Sequence, residues 1–213
     1  MAYPEARAER MARLHDGHIA PLTRYVERLR QQVGKQDGVP YMDPLDGGIN
    51  ARVLLLLEAP GGKAAAGDGG AGSGFVSRNN NDATAARVFA SCKDAGLQRE
   101  QTLMWNIVPW YVGTDGVIAA VKAQDIQEGR EHLRQLITLL PQLQVVVTFG
   151  RPAALGWAPL RASYPRLTTL TTWHPSSRGL AGKPLNAQQI IDTLTLARQI
   201  VEHRGHNTHP TWV

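Results

Sequence analysis

Three polar side chains close otherwise apolar runs, and their types suggest chemistry before any fold is assigned. Glu58 follows Val53–Leu57, Asn106 follows Thr102–Trp105, and His174 follows Leu167–Trp173. A carboxylate closing a buried strand is costly if uncompensated. There it can orient or activate a water and favour a developing cation. A histidine just beyond a strand can donate a hydrogen bond to a developing oxyanion, a contact typically worth about 10²–10³ in rate. Asparagine offers a donor and an acceptor side by side. Each has a plainer use. Glu58 can cap a helix or pair with an arginine, His174 can stack or cap, and Asn106 can satisfy loop backbone.

The elements that must position these groups follow from hydrophobic pattern. Residues 1–35 are helical in character, with Pro4 in a first turn and a break at Gly17 and Pro21. Leu22, Val26, Leu29 and Val33 share one face of a second helical segment, and Gly34 to Asn50 reads as a loop. Four short apolar runs follow: Val53–Glu58, Thr102–Val108, Gln144–Phe149 and Leu167–Trp173. The first is continuous and Leu-rich, as a strand buried on both faces should be. Helices are expected at Ala83–Ala95, Ile126–Leu140, Pro152 to about Trp157, and Ala187–His203. Asp82 is placed to N-cap the first of these, and Gly96 to end it. Strand–helix–strand repeated three times predicts a parallel sheet covered on both faces. Lys63 to Gly74, dense in Gly and Ala, reads as a mobile loop.

Open α/β sheets place ligand sites outside the carboxyl ends of their strands. Those ends read Glu58-Ala59-Pro60-Gly61-Gly62, Asn106-Ile107-Val108-Pro109-Trp110-Tyr111, Gly150-Arg151-Pro152 and His174-Pro175-Ser176-Ser177-Arg178-Gly179. The unusual polar residues of mid-chain cluster at these four ends. Trp105, Trp110 and Trp173 adjoin them and read as packing residues.

Composition removes other classes. With 213 residues, 43% hydrophobic and 19% charged, the chain fits neither disorder nor a fibrous repeat. Its longest strongly apolar run, Val53–Leu57, is far short of the roughly 20 residues of a membrane helix. The charged N-terminus shows no secretory h-region, so a cytoplasmic protein with no membrane partner is expected. One cysteine, Cys92, excludes an internal disulfide and any four-cysteine metal or iron–sulfur site. A net charge of +5 and a pI near 9.7 point mildly to nucleic acid.

Gly61-Gly62-Lys63 fails as a phosphate loop, because Leu57 stands at the required first glycine and Ala64 at the Ser/Thr. No G-x-S-x-G elbow surrounds Ser73. His203, His206 and His209 are spaced by three, but no acid or cysteine joins them, and a polar tail over 204–213 accounts for them better than a metal site.

In their order, the four ends resemble the uracil-DNA glycosylase superfamily. Glu58-Ala59-Pro60-Gly61 is similar to its first motif and His174-Pro175-Ser176 to its second. Between them stand an aromatic, Phe75 in Gly74-Phe75-Val76, and Asn106. The likeness spans about residues 50–203. It implies one three-layer α/β/α domain over 1–213, with a central four-stranded parallel sheet.

The resemblance also implies roles. Glu58 and His174 are catalytic, Phe75 stacks on the base, Asn106 reads the imide edge, and Ala59, Pro60 and Gly61 line the base site. The segment Ser177 to Lys183 enters the minor groove, with Leu180 at its tip, and Ser176, Ser177, Arg178 and Lys183 near phosphates. Catalytic carboxylate, imidazole and carboxamide should converge on one small cavity sized for a pyrimidine. The expected activity is monofunctional hydrolysis of the N-glycosidic bond of uracil, or a related deaminated base, in DNA. No cofactor is implied, and a monomer is expected.

The chain also departs from the pattern. The E-A-P-G branch usually carries four cluster-binding cysteines, so the corresponding loops here must be stabilised by packing. Leu57 replaces the common preceding glycine, and some members carry the catalytic acid one residue later, at Ala59. Gly61 and Ala64–Ala66 stand where relatives often exclude thymine's methyl. Two alternatives are a non-catalytic binder of damaged or single-stranded DNA on the same fold, and a hydrolase of free nucleotides.

Overall fold

The computed structural model describes residues 3–35, 38–65, 72–113, 119–180 and 182–206. Two helices open the chain, α1 (Pro4–Ala12) and α2 (Ala20–Val33), each with proline in its first turn. Helix α1 buries Arg10 and leaves Met11 exposed, so its inward face is ionic. A two-residue strand β1 (Tyr41–Met42) and a 3₁₀ turn at Gly48–Asn50 lie in the segment read as loop. Strand β2 (Val53–Leu57) follows. Strand β3 (Phe75–Val76) pairs in parallel with β1.

Helix α3 (Ala83–Asp94) comes next, and its N-cap is the expected Asp82, whose carboxylate accepts from the Ala85 N–H at 2.9 Å. The remaining elements are β4 (Thr102–Asn106), α4 (Ala123–Thr138), β5 (Val145–Phe149), α5 (Gly150–Arg161), β6 (Thr168–Thr172), α6 (Ser177–Leu180) and α7 (Pro184–His206). Helix α4 starts three residues before the expected Ile126, because Lys122 donates its N–H to Asp125 at 2.8 Å and closes a cap that its residue type does not advertise.

The main sheet is parallel throughout, in the order β4-β2-β5-β6. Helices α4 and α5, with α2 beyond, cover one face; α7 and α3 cover the other. The three-layer α/β/α architecture with a four-stranded parallel sheet is the expected one. Strands β2 and β5 occupy the centre, and all their residues are buried, which is why VLLLL and VVVTF carry no alternation. Edge strand β6, Thr-rich, is only half-covered. One apolar cluster runs from Ile19 to Val201. Close helix approach is built in: a Cβ on Gly129 of α4 would stand 1.9 Å from the Ile107 carbonyl oxygen, directly after Asn106.

Behind the sheet edge lies a buried ionic network. Arg99 reaches Asp43 at 2.6 Å and Asp46 at 2.9 Å, and Arg10 of α1 lies 3.3 Å from Asp43. Ser77 donates to Asp43, Arg78 donates to Thr102, and the Met104 N–H donates to Asp46 at 3.3 Å. Both aspartates are sealed from solvent. Charge pairing fastens the β1 loop, α1 and the start of β4 together.

Candidate active site

The parallel register delivers all four strand carboxyl ends to one edge. Leu57 pairs with Asn106, Leu56 with Thr148, and Phe149 with Thr172. Glu58 thus begins the loop beside Asn106, with its carbonyl accepting from the Val108 N–H at 3.0 Å. At strand spacings near 4.8 Å, the end of β2 lies two steps, about 10 Å, from the end of β6 and His174.

Helix start and strand end also meet at Gly150. Its φ is +79°, and a Cβ there would lie 3.0 Å from Cβ of His174. Glycine is required on both counts, by left-handed backbone and by close approach.

The imidazole is held by its own turn. The Ser176 backbone N–H donates to Nδ1 of His174 at 3.2 Å. A nitrogen that accepts carries no proton, so the neutral ring holds its hydrogen on Nε2. Burial lowers the pKa of His174 below its ordinary value, which favours that neutral ring. The Ser176 N–H is thereby engaged by the imidazole within its own turn. The Ser176 hydroxyl accepts from the Gly179 N–H at 3.3 Å.

Glu58 is half-buried and Asn106 nearly fully so. Among the described residues neither side chain has a hydrogen-bond or ion-pair partner, and neither does Nε2 of His174. None of these polar atoms is sealed from solvent, so three unpartnered groups along one sheet edge stand open to a ligand. Burial raises the pKa of Glu58, while the nearby Arg178 charge acts in the opposite sense.

Of the residues expected to line the base, Pro60 is buried, Ala59 half-buried and Gly61 exposed. Ala64 and Ala65 are buried; Ala66 lies outside the described residues. Phe75 is not in a loose loop. It is fully buried in β3, its ring 6.1 Å from that of Tyr41, and Asn80 donates to its carbonyl at 2.8 Å. Burying an aromatic surface outweighs leaving it as an open platform. The Lys63–Gly74 loop is pinned at both ends, Ser73 N–H to Lys63 at 2.9 Å and Gly74 N–H to Ala64 at 2.9 Å, while 66–71 lie outside the described residues.

Arg178, Lys183 and Ser177 are exposed, as a phosphate role needs. Leu180 is not a free tip. It closes the helical turn α6 and packs on the core, gaining apolar burial; the Asn186 amide donates to the Gly179 carbonyl at 3.1 Å. Ala181 lies outside the described residues. Trp105 and Trp110 are core, as expected, but Trp173 is 47% exposed beside His174.

Two recesses, of about 490 and 470 Å³, lie elsewhere, one against Thr168 and Arg204, the other against His18, Asp46 and Arg99. The pyrimidine-sized cavity expected from sequence is neither of these, and strand register carries the convergence instead. His209 lies outside the described residues, among which no group of three His, Cys, Asp or Glu could hold a metal. No helix among them is long and apolar enough to cross a membrane.

A family model for the uracil DNA glycosylase superfamily matches residues 44–195, well over half the chain and all four strand ends. The chain belongs to the uracil DNA glycosylase superfamily. Among solved structures, the glycosylase is similar to wild-type SMUG2 of Pedobacter heparinus at 14% identity and a TM-score of 0.48, over 89% of this chain and 85% of that one. Comparison with curated proteins gives no match.

Two residues that touch His174 or its turn carry no local mark of that contact in the sequence. Gly150 stands at a strand end, where only its contact with His174 reveals its part. Arg87 lies on α3, 88 residues from the turn it touches, and nothing local signals it.

Proposed function

We propose that this glycosylase hydrolyses the N-glycosidic bond of uracil, or a closely related deaminated base, in DNA, leaving an abasic site. The observation that carries the reading is the set of three unpartnered polar groups on one sheet edge: the Asn106 carboxamide, the Glu58 carboxylate and Nε2 of His174.

Cleavage builds positive charge on the sugar and negative charge on the departing ring. Glu58, as carboxylate, favours the cationic sugar and orients a water toward C1′. The water oxygen bonds to C1′ as the C1′–N1 bond breaks, and the bonding pair leaves with uracil. His174 keeps its proton and donates Nε2–H to the O2 that becomes negative. The uracil anion and the added water then settle their protons with solvent. The Asn106 amide matches the imide edge, giving one hydrogen bond and receiving another.

Arg178 and Lys183, exposed beside the histidine turn, suit phosphates, and Ser177 can add its hydroxyl. Phe75 stacks on a base only if base entry uncovers its ring. Leu180 fills an emptied duplex position only if α6 unfolds from the core. No cofactor enters this chemistry.

The test is incubation with a uracil-containing oligonucleotide followed by alkali. Cleavage at the uracil position is expected, lost in Glu58→Ala and His174→Ala while DNA binding persists. No new cleavage at any salt concentration overturns the reading, and binding without turnover by the unaltered protein identifies a DNA-binding module instead.

A further inference from the structure

The hydrogen bond to Nδ1 of His174 comes from a peptide unit that is itself held. The Ser176 N–H belongs to the Pro175–Ser176 peptide, whose other end is the Pro175 carbonyl. One guanidinium nitrogen of Arg87, Nη1, donates to that carbonyl at 3.1 Å and to the Ser177 hydroxyl at 3.2 Å. Arg87 therefore grips the far end of the amide that grips the imidazole.

Two physical effects follow. A cation bonded to a carbonyl polarises the amide, so its N–H becomes a better donor. Two bonds from one nitrogen, to Pro175 and Ser177 on either side of Ser176, also set the tilt of the peptide plane and so the direction of its N–H. The platform is firm: α3 is capped by Asp82, packs on α7, and buries Ala85, Val88 and Cys92 around Arg87.

We propose that Arg87 is a positioning residue which, through the Pro175–Ser176 peptide, holds His174 in the tautomer with its proton on Nε2. It acts at one remove and touches neither base nor sugar. The proposal rests on the reading of His174 as the hydrogen-bond donor in the reaction.

The experiment combines two readouts on Arg87→Ala and Arg87→Lys. Imidazole ¹⁵N NMR of the free protein reports which ring nitrogen carries the proton, and steady-state kinetics on a uracil oligonucleotide separates kcat from KM. Thermal melting confirms that both variants fold; Arg87 is only half-buried and on a helix surface. In the unaltered protein His174 shows the Nε2–H form. Arg87→Ala is expected to give a mixture of tautomers and a kcat lower by about 10- to 100-fold, as a small misplacement of a reacting group costs, with KM within about twofold. Arg87→Lys keeps the charge but loses the rigid planar guanidinium that fixes the donating nitrogen, and recovers part of both signals.

A wild-type tautomer signature and an unchanged kcat in Arg87→Ala overturn the proposal. So does a lowered kcat with the tautomer unmoved. If the unaltered protein has no activity on uracil, yet the tautomer shifts in Arg87→Ala, the positioning role stands and the functional reading fails.

Discussion

Ser176 and His174 form a closed local unit: the backbone N–H of one donates to Nδ1 of the other at 3.2 Å, two residues apart. The unit sorts the two ring nitrogens into different tasks. Replacing His174 by alanine removes a donor to the developing oxyanion and is expected to lower kcat by about 10²–10³. Because the bond strengthens only as charge builds on the base, KM should change little. Single-turnover rates against binding titrations measure the two separately.

The acid side of the pH profile has a defined origin. Burial raises Glu58 above its ordinary 4.5 and lowers His174 below its ordinary 6.5. In the proposed mechanism each group works without the extra proton, so activity is expected to fall as pH drops from neutrality through the two titrations. Arg178 opposes the rise at Glu58. Arg178→Ala therefore moves the acid limb toward higher pH, and residual activity in Glu58→Gln lacks the Glu58 component. A profile of kcat/KM at constant ionic strength reads both.

Gly150→Ala tests the hinge between β5 and α5. The substitution forces a side chain into left-handed backbone and brings its Cβ to 3.0 Å from that of His174. A cost of about 1–3 kcal/mol in stability is expected, with a larger proportional loss of kcat as the imidazole is displaced. Thermal melting and turnover on the same sample compare the two.

Arg99→Ala should act on the fold and spare the chemistry. It leaves Asp43 and Asp46 buried without the guanidinium that pairs both, for which about 3–5 kcal/mol is the usual loss. Urea denaturation is expected to show the drop, while activity per folded molecule remains near that of the unaltered protein.

Much of the frame was legible in the sequence because the physics there is local. Continuous VLLLL and VVVTF runs can only be strands with both faces covered, and their four ends fall within two residues of the expected ones. Asp82 and Gly96 mark α3 by their chemistry. What the sequence hid is settled by contacts between distant residues. Asp43, Asp46 and Arg10 look like ordinary surface charges until folding buries them against the half-buried Arg99. Phe75 sits among glycines and reads as loose, yet a two-residue pairing with Tyr41 and Met42 takes it inside. Leu180 reads as a tip because its flanks are glycine and arginine, and only the tertiary fold gives it an apolar surface to lean on. Arg87, on a helix with no motif, carries no local mark of its partner.

Strand β6 is one of the two edge strands of the main sheet and has a hydrogen-bonded neighbour on one side only. His174 lies two residues beyond its end and is held by its own turn, with Gly150 close beside it and, as proposed above, Arg87 gripping that turn. Modest loosening of those contacts should silence the enzyme while its core still melts normally, so for this chain loss of turnover is an earlier warning of damage than loss of structure.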